Sequence, residues 1–128
     1  MKLSNNELLS CVQKLEVVSQ IQLPIKVSYA ITKNLSKIES ELKTYEKERQ
    51  KLIEKYATKD AEGKVVADEK GSINIEKDSI SDWNADLGVL LSIESDLDIH
   101  QFGIDELNGL NMSIAQLKAI DYMIKEQE

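Results

Sequence analysis

The 128-residue chain reads as an α-dominant α+β domain. Three observations predict this. One long segment carries an unbroken heptad stripe, two other segments open with the same helix-start grammar, and two brief β-prone runs flank a polar turn. Aromatic content is only 5%, while Leu, Ile, Lys and Glu are abundant, which is a helical composition.

The first helix is announced by Ser4 as N-cap and Glu7 three residues on, the two halves of a capping box, with Leu3 and Leu8 at the staple positions. Leu8, Cys11, Val12, Leu15, Val18 and Ile21 then form its apolar face. Pro24, the only proline, pushes its predecessor away from helical dihedrals and ends this helix near Gln22. The same proline suits the first turn of the next helix, where a missing N–H costs nothing.

That second helix is predicted from Pro24 to Tyr56. Ile31, Leu35, Ile38, Leu42, Tyr45, Arg49, Leu52 and Tyr56 recur with alternating gaps of four and three. This spacing is a coiled-coil seam rather than the wider stripe of an ordinary surface helix. At about 1.5 Å per residue, the helix reaches roughly 50 Å and needs a partner surface over most of its length.

Residues 57–63 lose the period and carry turn residues. Lys64–Ala67 and Ser72–Ile75 then read as two strands around Asp68-Glu69-Lys70-Gly71, a β-hairpin, with Leu97-Asp98-Ile99-His100 as a possible third strand. Ser79 or Ser81 caps a third helix bearing Ile80, Trp83, Leu87, Leu90 and Leu91. Gly103 and Gly109 bracket a loop. Ser113 and Gln116 repeat the capping box, with Met112 and Leu117 as staple, before a last helix faced by Ile114, Leu117, Ile120, Met123 and Ile124. The expected organisation is a single domain, with a helical-hairpin arm over 1–56 and a β-hairpin plus two helices over 57–128. The later elements are expected at the far end of the long helix.

The net charge of −7 is unevenly spread: residues 24–64 sum to +3 and residues 65–112 to −9. Net acidity argues against direct nucleic-acid binding, which needs a dominant positive field. No apolar run approaches the ~20 residues of a membrane span, and the polar first segment is no signal peptide, so no membrane partner is expected. Cys11, alone, excludes an intramolecular disulfide and reads as a small buried hydrophobe in a reducing compartment.

Glu94, Asp96, Asp98 and His100 alternate, so in an extended segment they share one face as possible metal ligands; the simpler reading is an exposed polar edge. The required glycine and closing glutamate of an EF-hand are not in place. Lys43, Lys47, Lys51, Lys55 and Lys59 form a ladder that Glu39, Glu48 and Glu54 partly neutralise, a solvated face without aromatic residues for base stacking. Asp82, Asp86, Glu94, Asp96, Asp98, Asp105 and Glu106 form an acidic stretch able to imitate a phosphate backbone or simply to keep the chain soluble. Arg49, the only arginine, falls on the seam, where it snorkels outward or meets an acidic partner. One histidine, one cysteine and no phosphate loop or nucleophile motif give no support to catalysis, so no enzyme activity, cofactor or metal is expected.

Leu23-Pro24-Ile25-Lys26, Tyr29-Ala30-Ile31 and Lys33-Asn34 form one set of motifs; Tyr45-Glu46-Lys47-Glu48-Arg49, Glu54-Lys55-Tyr56, Lys59-Asp60 and Gly63-Lys64 form another. Together, and more loosely through the tail from Ile99 to Met123, they resemble a family of small uncharacterised proteins carried by phages and prophages of low-GC Gram-positive bacteria. The resemblance implies a phage protein working in the host cytoplasm or in a virion, and it brings no catalytic residues. The reading is therefore a noncatalytic interaction protein, a virion accessory or assembly factor. Its partner is itself, as a homo-oligomer, or another phage or host protein. The interface is Leu35, Ile38, Leu42, Tyr45, Arg49, Leu52 and Tyr56. The alternative is an acidic inhibitor of a host defence or nucleic-acid-binding protein, acting through Asp82 to Glu106.

Overall fold

The computed structural model describes residues 1–67 and 72–125. In chain order the elements are strand β1 (Lys2–Ser4), helix α1 (Asn5–Val18), helix α2 (Ile25–Tyr56), helix α3 (Ile80–Ser92), strands β2 (Glu94–Asp96) and β3 (Phe102–Gly103), helix α4 (Ile114–Ile120) and strand β4 (Ile124–Lys125). Short 3-10 turns precede α3, follow β3 and extend α4. The α-dominant α+β class is what the sequence predicts, and α2 begins and ends within one residue of its expected bounds.

The chain divides into two compact units, Met1–Leu42 with Glu94–Glu128, and Lys43–Ile93. The boundary differs from a division after Tyr56, because α2 contributes its first half to one unit and its second half to the other. The last helix is likewise not grouped with the β-hairpin segments: α4 packs on α1. The reason is visible at the chain start. β1 pairs antiparallel with β2 in the register Lys2–Asp96, Leu3–Ser95 and Ser4–Glu94, which ties the later segment back to the beginning.

In the first unit, Leu8, Leu15 and Val18 of α1, Val27, Ala30, Ile31 and Ile38 of α2, and Ala119 and Ile120 of α4 join Leu3, Leu97, Phe102 and Met123 in one buried core. Both capping boxes form as the sequence predicts. The Ser4 hydroxyl accepts the Glu7 amide at 3.1 Å, while the Glu7 carboxylate accepts the Ser4 amide at 3.0 Å. Ser113 and Gln116 do the same at 3.1 and 2.9 Å. The expected α4 face is met in its second half: Ile120 and Met123 are buried and Ile124 is half-buried, whereas Ile114 and Leu117 are exposed and Ala119 is buried in their place.

Leu97–His100 is not a strand; the strand lies just before it, in β2, and its partner is β1 rather than the hairpin segment. In the second unit three extended stretches are joined by single antiparallel bridges, Ala57–Ile75, Lys59–Val65 and Ala67–Ile73. Each stretch thus bridges both others, a more closed arrangement than a simple hairpin. The turn Asp68-Glu69-Lys70-Gly71 lies outside the described residues. The turn before it is fixed by Asp60, whose carboxylate accepts the amides of Glu62 and Lys64, and by Gly63, whose φ of 83° favours glycine. Ser79 stands at the N-cap position of α3, but its side chain makes no capping hydrogen bond there.

Candidate functional site

The heptad stripe of α2 is largely covered by the chain itself. Ile31, Ile38, Tyr45 and Tyr56 are buried, while Leu35, Leu42, Arg49 and Leu52 are half-buried. Val27, Ala30, Asn34 and Ile53 are buried too, so the inward face is broader than a coiled-coil seam and resembles an ordinary core face. Arg49 resolves as a half-exposed side chain whose guanidinium reaches Glu46 one turn back, at 3.9 Å.

In the second unit, α2 and α3 are linked by the Tyr56 hydroxyl, which donates to Asp86 Oδ2 at 2.6 Å. That bond to a carboxylate raises the Tyr56 pKa above the ordinary tyrosine value. Beside it, Glu48 and Leu52 of α2 with Asp86, Val89, Leu90 and Ile93 line an open groove of about 360 Å³. Val89 and Ile93, one turn apart, are 65% and 51% exposed. Trp83 and Leu87 are half-buried, and Ile80 faces outward rather than toward the core.

The first unit holds a larger cavity, about 470 Å³, lined by Ile25, Lys26 and Tyr29 at the start of α2 and by His100, Gln101, Phe102, Gly103 and Glu106. Its wall is set from beneath. Asn34 is fully buried, and both polar atoms of its side chain bind the backbone of His100. Lys37 donates to the Asp98 carbonyl nearby. The His100 ring thereby meets Tyr29 edge-to-face, 5.3 Å between centres and 70° between planes. Lys33 lies 5.5 Å from the Tyr29 ring centre, and Lys26 pairs with Glu106 at 3.5 Å.

The acidic residues are distributed between the units: Asp82 and Asp86 belong to the second, Glu94, Asp96, Asp98, Asp105 and Glu106 to the first. Asp96 accepts the terminal ammonium of Met1 at 3.0 Å, and this cation holds its carboxyl below the usual carboxylate range. Glu94 and Asp96 sit on β2, whereas Asp98 and His100 follow it in irregular backbone, so the four do not share one strand face. Among the described residues, no group of three or more His, Cys, Asp and Glu is arranged to hold a metal ion. Lys43, Lys47, Lys51, Lys55 and Lys59 are all exposed, with Lys51 paired to Glu48 at 2.9 Å.

Cys11 is half-buried, as its place on the apolar face suggests, and burial pushes its thiol pKa up, the direction of an inert thiol. Its neighbour Tyr122 has a buried hydroxyl with only the Cys11 thiol beside it, and burial first, then that thiol, pushes its pKa well above the ordinary value. Among the described residues, no helix is long and apolar enough to cross a membrane.

Sequence reasoning did not single out the cavity around Tyr29 and Phe102. Its lining comes from segments some seventy residues apart, and no local period links them. The signal present was Asn34, a polar residue on the inward face of an otherwise apolar helix turn.

The chain belongs to the family described as protein of unknown function (DUF1617), which matches residues 2–102. No curated protein and no solved structure matches the chain.

Proposed function

We propose that this DUF1617 protein is a noncatalytic interaction protein of phage origin, a virion accessory or assembly factor. It acts as a homo-oligomer or on another phage or host protein, in the host cytoplasm or in the virion. The phage setting rests on the resemblance carried by the Leu23–Asn34 and Tyr45–Lys64 motifs. The observation that carries the interaction reading is the pair Val89 and Ile93. Two branched apolar side chains stand mostly exposed beside half-buried Leu52, in a chain that is 30% charged. Contiguous exposed apolar surface of this kind marks interaction faces. The buried members Ile38, Tyr45 and Tyr56 act as core. The contact surface is then the half-buried Leu52 with Val89 and Ile93, all within the second unit.

The test is solution mass by light scattering at low and high salt, for wild type and Val89→Asp. Apolar burial predicts an oligomer that persists in high salt and that Val89→Asp reduces to monomer. A wild type that is monomeric under both conditions removes the homo-oligomer reading.

The acidic alternative draws support from Asp82, Glu94 and Asp98, which are exposed. It predicts a salt-sensitive complex with a basic host protein that Asp98→Lys weakens.

A further inference from the structure

We propose that the cavity around Tyr29 and His100 is a recognition site for an extended polypeptide segment carrying an aromatic residue next to an acidic one. The site is distinct from the Val89–Ile93 groove and does not depend on self-association.

Three features carry the inference. The first is preorganisation. A fully buried side-chain amide in a helix core costs desolvation unless both polar atoms are satisfied, and Asn34 satisfies them on the backbone of a single residue, His100. The effect is to fix the segment that carries His100 and Phe102 against α2, so the cavity wall exists before any ligand arrives. Tyr29, 54% exposed, then presents ring surface already held at an angle by His100. A volume of about 470 Å³ accommodates one large aromatic side chain and its neighbours.

The second feature is backbone. Gly103 lines the cavity and, lacking a side chain, does so with its main chain. A Cβ placed on it meets nothing within 4 Å, so the approach is open. β3 is paired along one edge only, by β4, among the described residues. An unpaired strand edge beside a side-chain pocket is the arrangement by which extended peptides are recognised. Main-chain hydrogen bonds supply attachment, and the pocket selects one side chain.

The third feature is charge. Lys26, one turn before Tyr29 on α2, lines the cavity, and the Lys33 ammonium, one turn after it, lies over the Tyr29 ring 5.5 Å from its centre, so the ring is flanked in sequence by two cations. Lys26 is held by Glu106 at 3.5 Å, but its side chain is 74% exposed, so this is a weak pair that a ligand carboxylate can enter. The partner's acidic residue therefore adjoins its aromatic anchor.

The test titrates the full chain, labelled for amide NMR, with three probes. One is the blocked peptide N-acetyl-Val-Trp-Asp-Val-amide. The second has Ala in place of Trp. The third is indole-3-acetate, which offers the ring and the carboxylate without a peptide backbone. Expected is saturable movement of the Tyr29, His100 and Gly103 amides with the first peptide. Affinity should be weaker by about tenfold or more for the other two, and the response should be lost in Tyr29→Ala. Because Tyr29 is exposed, that variant is expected to keep the wild-type melting curve. Lys33→Glu supplies a second check by weakening the Trp-Asp peptide without touching the core. The proposal is overturned by no saturable shift at these amides, by shifts centred elsewhere, or by indole-3-acetate matching the peptide. The last result would make the cavity a small-molecule pocket. None of these outcomes bears on the light-scattering result, which judges the oligomer reading separately.

Discussion

Asn34 and His100, 66 residues apart in sequence, are joined at both polar atoms of one side chain. The Asn34 Nδ2 donates to the His100 carbonyl at 2.9 Å, and its Oδ1 accepts the His100 amide at 2.7 Å. A side-chain amide thus imitates the pairing of a neighbouring strand for one residue. It lies on the buried face of α2 between Ile31 and Ile38, and it sets where the irregular segment after β2 crosses the helix.

Replacing Asn34 by Leu is expected to destabilise the protein by about 2 kcal/mol in urea unfolding. Leu fills the volume but leaves the His100 amide and carbonyl without partners in a partly buried position. The change should also abolish hydrogen-exchange protection of the His100 amide while leaving that of mid-α1 amides in place. Retained protection at His100 would mean the clamp is incidental.

Much of this architecture was legible in the sequence, and the reasons it was or was not are local. Ser4–Glu7 and Ser113–Gln116 announced two helix starts because capping is decided within four residues. Pro24 placed the break before α2 for the same reason. The pairing of Lys2–Ser4 with Glu94–Asp96 was invisible, since three-residue strands carry too little alternation and the partners lie some ninety residues apart. The stripe from Ile31 to Tyr56 correctly marked the inward face of α2, yet its heptad spacing did not reveal that this chain's own elements would cover most of it. Periodicity reports which face is buried, not by whom. The cavity at Tyr29 needed the tertiary fold, because only the Asn34 clamp brings His100 there.

The two capping boxes predict unequal consequences for equal chemistry. Ser4→Ala and Ser113→Ala each remove a hydroxyl acceptor worth about 1 kcal/mol. α1 has 14 residues and three buried apolar anchors, whereas α4 has only 7. Circular dichroism should show little helix loss for Ser4→Ala. Exchange should show local opening of α4 for Ser113→Ala, before global unfolding. Equal behaviour of both variants would contradict this.

The stripe itself is tested by comparing Ile38→Ala with Val89→Ala. Ile38 is fully buried in the first unit's core, so truncation should cost about 2–5 kcal/mol of monomer stability at any protein concentration. Val89 is mostly exposed, and its truncation should leave the stability of the isolated chain within about 0.5 kcal/mol. A strong concentration dependence of the Ile38→Ala loss would return Ile38 to an intermolecular interface.

Alkaline stability should depend on Tyr122. Its hydroxyl is buried with only the weakly accepting Cys11 thiol beside it, so Tyr122→Phe removes a poorly satisfied polar group and is expected to be nearly neutral at pH 7. The folded protein holds this hydroxyl protonated beyond the pH at which an exposed tyrosine ionises, near ~10. A pKa raised in the folded state contributes stability that is complete below the unfolded value and is lost as pH rises toward the folded one. Wild type should therefore lose stability as pH rises above ~10, and Tyr122→Phe should lose less. Tyr45 and Tyr56 are also raised, by burial and by Asp86 respectively, so a smaller alkaline slope persists in the variant. Urea midpoints collected from about pH 8 to about pH 11 read this directly. Identical slopes for the two proteins would mean that Tyr122 ionises no later in the folded chain than in the unfolded one.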